Sequence, residues 1–240
     1  MTTQSSQRVG LLHTVPALAE SFSSALHEAH PTVESVHIVD TGLLDPDPAG
    51  GVTQETTDRV AAHIRHLEES GALAILVTCA STAEIAEQVD STVPVVRVDE
   101  AMAEQAVTIA TEAARREDRT GHVEVLVTRP STVGPTGRLL ERFAAAHPDL
   151  TVDVTVVDGA EDAREQGDIA GHDALIRDAA IEFAARADVL VLAQASMAEA
   201  LHGVELPTRV LTSPNGGVRA LLAALRMHGS PTHAAAPPDA

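Results

Sequence analysis

The sequence contains no lysine, no tyrosine and no tryptophan, and its only cysteine is Cys79. All 16 basic residues are therefore arginines, which excludes a lysine Schiff base, a lysine-anchored pyridoxal phosphate and a Walker A lysine. Three phenylalanines leave little aromatic surface for stacking on nucleic-acid bases. A single cysteine excludes an internal disulfide, which fits a reducing compartment.

The chain is 240 residues long and carries a net charge of −19. It can bury a substantial core, as one large domain or two small ones. The charge argues against nucleic acid and anionic membranes as partners. No apolar run approaches the ~20 residues that span a bilayer, and residues 1–7 lack the apolar core of a signal peptide. We therefore expect a cytoplasmic protein.

The segment around Cys79 has the most informative pattern. An apolar run over 72–77 ends next to this cysteine, and the small polar residues Ser81 and Thr82 precede a helical pattern. This predicts a strand that leads into a helix N-terminus, where free backbone N–H groups favour anions and thiolates. A lone cysteine is commonly an inert core side chain. The position at a strand end favours a functional thiol instead.

The same pattern recurs in the second half of the chain. An apolar run ends at Gln194, and Ala-Ser-x-Ala-Glu follows both Cys79 and Gln194. A Thr-x-Pro pattern likewise ends two further apolar runs, at Thr14 and at Thr128. These two pairs, at nearly the same spacing, predict two similar halves that face a shared cleft. One half retains a thiol there and the other has an amide.

Apolar runs alternate with helical patterns along the chain, which predicts an α/β fold with mainly parallel sheets covered on both faces. The predicted strands are 8–14, 33–39, 73–78, 93–98, 123–128, 150–157, 189–193 and 209–211, and the predicted helices are 16–29, 56–70, 82–89, 100–116, 137–146, 169–186, 197–202 and 215–227. Residues 41–52 are predicted to be a Gly- and Pro-rich loop that could cover a cleft, and 158–168 an acidic loop.

The repeat divides the chain into two lobes. We assign 1–98 and 209–228 to the first lobe, 99–208 to the second, and 229–240 to a disordered tail. Ligands of such sheets bind beyond the carboxyl ends of the strands, between the lobes here. The candidate catalytic residues are Cys79, Gln194 and His13. The candidate substrate-binding residues are Thr14, Ser81, Thr82, Thr128, Ser131, Thr132, Ala195, Ser196 and Asn215.

Hydroxyl and backbone N–H groups at these positions could hold a carboxylate without a basic residue. The same serines and threonines could instead be simple helix caps, and Asn215 a capping turn. His13 could assist proton transfer, although a structural histidine is an equally consistent interpretation. Two histidine pairs at helical spacing, 27/30 and 63/66, lack a third ligand, so no metal site is predicted. The remaining charged helix faces are interpreted as solvated surface.

Three segments resemble the aspartate/glutamate racemase superfamily, which includes hydantoin racemases, maleate isomerases and arylmalonate decarboxylases. The apolar run with Cys79 and the following Ala-Ser-Thr-Ala (80–83) is similar to the first cysteine segment of the family. Residues 127–133 are similar to its Thr-Arg-x-Thr segment, and 188–194 to the segment of its second cysteine. The resemblance covers nearly the whole chain. It implies two interleaved α/β domains with the site between them, no cofactor, and frequent dimers or higher oligomers.

The resemblance also implies that two cysteines move a proton at the carbon next to a carboxylate. Here Gln194 replaces the second cysteine, Ala80 the usual asparagine, and His13 stands where amino-acid racemases tend to have aspartate. An amide does not titrate near neutrality, so two-thiol racemisation is not expected. A single thiol could still protonate an enediolate after decarboxylation or add to a double bond. In arylmalonate decarboxylases, however, the one cysteine occupies the position of Gln194.

The leading hypothesis is a cofactor-independent isomerase, racemase or decarboxylase that acts on a small carboxylic acid, with Cys79 as acid/base or nucleophile. The alternative is a non-catalytic carboxylate-binding protein that kept the cleft after loss of the second cysteine.

Overall fold

The computed structural model describes residues 7–43 and 52–229. The strands are β1 Arg8–His13, β2 Glu34–Val39, β3 Ile75–Val77, β4 Val95–Arg97, β5 Gly121–Val127, β6 Leu150–Val156, β7 Val189–Leu192 and β8 Arg209–Thr212. The helices are α1 Ala17–Ala29, α2 Gln54–Glu69, α3 Ala80–Ala86, α4 Glu100–Glu117, α5 Pro130–Ala144, α6 Ala160–Glu165, α7 Ile169–Ala184 and α8 Ser213–Gly229, with 3₁₀ helices at Thr41–Leu43 and Ala195–Leu201.

The strands form two four-stranded parallel sheets with the same internal order. The first sheet has the order β2-β1-β3-β4 and the second β6-β5-β7-β8. Each position in one sheet thus has its counterpart four strands later in the chain. The predicted α/β class and the two similar halves are confirmed.

Helices cover both faces of each sheet, because the inner strands are apolar on both faces. In the first sheet, Leu11 and Leu76 pack with α1 and α8, whereas Leu12 and Val77 pack with α2 and α3. In the second sheet the β5 valines pack with α4 and α5, and Leu126 packs with α7. Across the described residues, no helix combines the length and apolar character that a transmembrane span needs.

The lobes exchange helices. The helix α4 follows β4 of the first sheet but buries Met102, Ala106 and Ala110 against the second. The helix α8 follows β8 of the second sheet but buries Leu221 and Leu225 against the first. Apolar burial thus fixes the two sheets relative to each other.

The course of the chain near its end corrects one predicted assignment. The sequence analysis placed 209–228 entirely in the first lobe. Instead, β8 pairs with β7 along Arg209–Thr212 and extends the second sheet, and only α8 packs on the first. Strand pairing is a long-range contact, so the local pattern at 209–211 did not indicate which sheet the strand joins.

Two segments outside the predicted helices are helical. The helix α5 begins at Pro130, seven residues before the predicted start at 137, because a proline at the first helical position needs no N–H partner. The helix α6 lies within the predicted acidic loop 158–168, where Glu161 and Asp162 in its first turn favour the positive end of the helix dipole. The expected cleft-covering loop falls largely, and the expected tail almost entirely, outside the described residues.

Two glycines provide a matched test of this packing. A Cβ atom at Gly121 would overlap the backbone oxygen of Ala110 in α4 and lie 2.7 Å from Cδ2 of Leu150, whereas a Cβ at Gly137 in α5 meets nothing within 4 Å. We expect Gly121→Ala to lower the free energy of unfolding by roughly 1–3 kcal/mol through overpacking. Gly137→Ala should raise it by roughly 0.5–1 kcal/mol, since alanine is the better helix former.

Urea denaturation of both variants beside the wild type measures these changes. Equal effects of the two substitutions would contradict the close approach of α4 to the start of β5.

Candidate active site

A cavity of about 640 Å³ opens where the carboxyl ends of strands from both sheets meet. The predicted site residues that line it are Thr14, Cys79, Ser81, Thr82, Ser131, Thr132, Gln194, Ala195 and Ser196. Three predicted residues, His13, Thr128 and Asn215, are not part of its lining. The structure therefore brings the thiol and the amide of the two repeats to one cavity.

Cys79 occupies the junction between the first sheet and α3. Its backbone is extended, and its carbonyl accepts a hydrogen bond from the N–H of Ala83 at 2.7 Å, which begins the helix. The residue is half-buried and contributes to the cavity wall. The thiol is thus not enclosed in the hydrophobic core, in contrast to an inert buried cysteine.

Gln194 occupies the equivalent junction in the second sheet. Its side chain is hydrogen-bonded to Thr128, the residue that follows the neighbouring strand β5. Its Oε1 accepts a hydrogen bond from the backbone N–H of Thr128 at 2.5 Å, and it shares the Thr128 hydroxyl, 3.2 Å away, with Glu161 Oε2 at 3.0 Å. Because a backbone N–H can only donate, the oxygen of the amide must face Thr128. The Nε2 group is left as the donor end of a cavity-lining side chain. Thr128 itself positions Gln194 and does not form the wall.

The cavity wall also carries charged residues that the sequence analysis did not include among the site candidates. They are Arg129, Arg138, Arg164, Glu84 and Glu161. Three guanidinium groups and two carboxylates thus line the wall, and Glu165 outside the lining also pairs with Arg129. Basic residues therefore lie beside the hydroxyl groups that the sequence analysis assigned to carboxylate binding.

The charged groups form two clusters. Arg138 of α5 donates to both oxygens of Glu84 in α3 at 2.7 Å, and this pair spans the two lobes. Arg129 and Arg164 both pair with Glu161, and Arg129 also reaches Glu165 at 3.2 Å. Burial raises the pKa of Glu161, but the hydrogen bond from Arg164 and the charges of both arginines outweigh it, so its pKa is lowered. Glu161 is thus a carboxylate at neutral pH.

The sequence carried part of the signal for these residues. Arg129 lies in the Thr-Arg-x-Thr segment of the resemblance, and Arg138 lies within the predicted helix 137–146. Arg164 and Glu161 lie in α6, which was predicted to be a loop, so the helix face that carries them could not be placed.

His13 is fully buried in a chain of hydrogen bonds behind the strand ends. Its Nδ1 lies 2.9 Å from Thr78 Oγ1, and its Nε2 lies 2.9 Å from Nδ1 of His37, whose Nε2 is 2.9 Å from Ser35 Oγ. Thr78 Oγ1 donates to the carbonyl of Leu12 at 3.2 Å, so it accepts from His13. Nδ1 of each imidazole therefore carries the hydrogen, and Nε2 of each accepts, from His37 Nδ1 and from the Ser35 hydroxyl respectively. Both imidazoles are thus neutral.

The predicted position of His13 at the cleft is therefore corrected, because its ring is hydrogen-bonded between Thr78 after β3 and His37 on β2. Burial, reinforced by the imidazole of His37, lowers the pKa of His13 to about 4. Asn215 is exposed in the first turn of α8 and does not line the cavity.

No protein-family model and no curated protein sequence matches the chain. Solved structures do. Aspartate racemase from Picrophilus torridus is similar with a TM-score of 0.67 and 14% identity, over 92% of this chain and 94% of that one. Glutamate racemase from Francisella tularensis in complex with D-glutamate has a TM-score of 0.64 and 16% identity, over 93% and 82%.

An arylmalonate decarboxylase structure is similar with a TM-score of 0.51 and 16% identity, over 94% of each chain. The chain thus has the fold of the aspartate/glutamate racemase superfamily, as the sequence resemblance implied. The roles of the individual site residues stay predictions.

The buried His13 predicts how stability depends on pH. Its pKa is about 4 in the folded chain against 6.5 ordinarily, so the unfolded chain binds more protons between these values. The part of the free energy of unfolding that depends on neutral His13 is fully present above pH 6.5 and is lost as the pH falls towards 4. The loss amounts to about 3 kcal/mol. Chemical denaturation at a series of pH values measures it.

In His13→Gln this part of the pH dependence should disappear. Leu26→Ala is the matched control, because it destabilises the same lobe by roughly 2–5 kcal/mol without removing a titratable group. It should keep the wild-type slope. A wild-type slope in His13→Gln would contradict the neutral, hydrogen-bonded imidazole.

Proposed function

We propose that the chain is a cofactor-independent enzyme of the aspartate/glutamate racemase superfamily. It acts on a small carboxylic acid at the carbon next to the carboxylate. The observation that carries this proposal is that the only thiol of the chain, Cys79, lines one cavity together with Gln194 and three arginines. The names of the similar structures, two racemases and a decarboxylase, and the D-glutamate bound in one of them support the same substrate class.

The second-lobe side of the cavity binds the carboxylate. Ser131 and Thr132 belong to the first turn of α5, where backbone N–H groups and the helix dipole favour a negative charge. Arg129 precedes this turn and is largely buried, which strengthens its attraction for an anion. A dicarboxylate could engage Arg138 or Arg164 with its second group. Small acids of this kind fit a cavity of about 640 Å³.

Cys79 then moves the proton. As a thiolate it removes the hydrogen from the carbon next to the carboxylate, and the electron pair of that C–H bond moves into an enediolate. Hydrogen-bond donors, among them the Nε2 group of Gln194, stabilise the developing negative charge. The thiol returns its proton to the same carbon. In a decarboxylation the enediolate arises by loss of CO₂ and the thiol supplies the proton from solvent.

Gln194 sets the stereochemistry of this reaction. An amide cannot supply or remove a proton near neutral pH, so proton transfer is confined to the face of the substrate that Cys79 contacts. The enzyme therefore exchanges or adds a proton on one face. Inversion, which needs an acid on the opposite face, is not supported. Addition of the thiolate to an activated double bond, followed by rotation, is the third reaction that one thiol can catalyse.

A second function is favoured by one observation. The Gln194 side chain is tied to Thr128 and occupies the place of a catalytic thiol, as expected in a protein that binds a carboxylate without transforming it. In that case Cys79 lines the cavity without taking part in a reaction.

Proton exchange in D₂O distinguishes these functions. We expect that one enantiomer of an acid among D- and L-glutamate, D- and L-aspartate and related small acids exchanges its α-hydrogen for deuterium without inversion, or that an arylmalonate gives a product protonated on one face. Cys79→Ala and the conservative Cys79→Ser should lower the rate by at least ~100-fold, since both remove the proton carrier. NMR spectroscopy and chiral chromatography measure exchange and inversion.

Gln194→Cys is the matched gain-of-function variant. It places a second thiol on the opposite wall and should add inversion to an exchange that the wild type performs with retention. Wild-type turnover in Cys79→Ala, or inversion by the wild type, would contradict the one-thiol mechanism. Calorimetric binding of an acid that is equal in wild type and Cys79→Ala, without any exchange, decarboxylation or isomerisation, would establish the binding protein instead.

A further inference from the structure

A cluster of potential metal ligands lies in the second lobe, outside the cavity described above. His122 and Glu124 stand two residues apart near the start of β5, so their side chains project from the same face of the sheet. Asp153 on β6 is the register partner of Glu124. The cavity lies at the opposite, carboxyl end of these strands. Strand geometry alone therefore brings one imidazole and two carboxylates together.

The donor atoms have the spacing of a metal site. The His122 Nε2 atom lies 3.0 Å from Asp153 Oδ2 and 3.6 Å from Glu124 Oε2. All three ligand atoms lie within 4.8 Å of one another. In a tetrahedral site with ligand bonds of roughly 2.1 Å, neighbouring donors are about 3.4 Å apart. Small side-chain adjustments would bring all three donors to one ion.

Surrounding groups already orient two of the donors. The Nδ1 atom of His122 lies 3.0 Å from the carbonyl oxygen of Arg186, and because a carbonyl only accepts, Nδ1 carries the hydrogen. Thr155 Oγ1 donates to Glu124 Oε1 at 2.7 Å, which leaves Oε2 directed at the cluster. Such outer contacts, a carbonyl on the far ring nitrogen and a donor on the far carboxylate oxygen, are characteristic of metal ligands.

Glu124 gives an independent reason to place a cation here. It is a carboxylate with 2% exposure in a strand whose neighbours are core valines. The hydrogen bond from Thr155 reaches only its Oε1, and its Oε2 faces Nε2 of His122 at 3.6 Å. A carboxylate in so buried a position is costly unless a cation or further donors offset its charge. Asp153, in contrast, is mostly exposed and leaves the cluster open to solvent.

We propose that His122, Glu124 and Asp153 bind a divalent transition-metal ion of the Zn²⁺ type, with water as the fourth ligand. One nitrogen and two carboxylate oxygens suit Zn²⁺ or Co²⁺ better than Mg²⁺ or Ca²⁺, which prefer oxygen ligands alone. The ion joins β5 to β6 and stabilises the second lobe. It takes no part in the proposed reaction. The competing occupant is a proton on His122, which would form ion pairs with the same two carboxylates.

Metal titration of the full chain decides between the ion and the proton. Protein without an affinity tag is stripped with a chelator and titrated with Zn²⁺ against a weak competing chelator, and with Co²⁺ alone. We expect one tightly bound Zn²⁺ per chain, a higher melting temperature when it is bound, and the visible absorption of tetrahedral Co²⁺. Glu124→Gln and Asp153→Asn should each lower the affinity at least ~10-fold.

Two controls make the result specific. Asp153→Asn changes a side chain that is 68% exposed, so this variant tests the site even if Glu124→Gln fails to fold. His63→Gln removes an imidazole that contacts Asp40 at 2.6 Å in the first lobe, and it should leave the tight site unchanged. Failure to retain Zn²⁺ against the competitor would overturn the proposal. So would wild-type affinity in both Asp153→Asn and Glu124→Gln.

Discussion

The exchange of α4 and α8 between the lobes is the constraint on which the rest of the structure depends. Each helix follows the last strand of one sheet and buries its apolar face on the other, as with Met102 on the second sheet and Leu221 on the first. Separation of the lobes would expose both apolar faces, at a cost of roughly 1.5–3 kcal/mol for each fully buried large side chain. The strand ends that meet at the cavity are therefore held by the core, and Cys79 and Gln194 need no direct contact to line the same cavity.

Electrostatics then distinguish this cavity from the rest of an acidic molecule. The pair of Arg138 and Glu84 spans the lobes, but Arg138 is 60% exposed, so the pair orients side chains more than it stabilises the fold. Arg129, Glu161 and Arg164 are more deeply buried, and Arg129 also pairs with the exposed Glu165, a contact that an incoming carboxylate could replace. Guanidinium groups at the cavity wall can attract a carboxylate despite the overall charge of −19.

Much of the fold was predictable because strands buried on both faces appear as continuous apolar runs. The internal repeat placed Cys79 and Gln194 on one cavity, since equivalent positions of two similar sheets meet at the strand ends. The start of α5 was missed because Pro130, Gly134 and Pro135 are typical of loops, and this concealed that Ser131 and Thr132 lie in its first turn.

Other features depend on contacts between residues distant in the chain. The ring of His13 is held by Thr78 and His37, 65 and 24 residues away, and no local pattern indicates these partners. The pairing of β8 with β7 and the meeting of His122 with Asp153 are of the same kind. Such features can be inferred only once the register of the sheets is known.

The most direct test of the central claim is alkylation of the single cysteine. Because Cys79 is the only thiol, mass spectrometry of the native chain treated with iodoacetamide reports on this site alone. The account predicts that the folded chain is alkylated and that a small carboxylic acid protects it in a saturable manner, whereas neutral amides of the same acids do not. Alkylation that occurs only after unfolding, or that no carboxylate slows, would contradict a thiol facing a carboxylate-binding cavity.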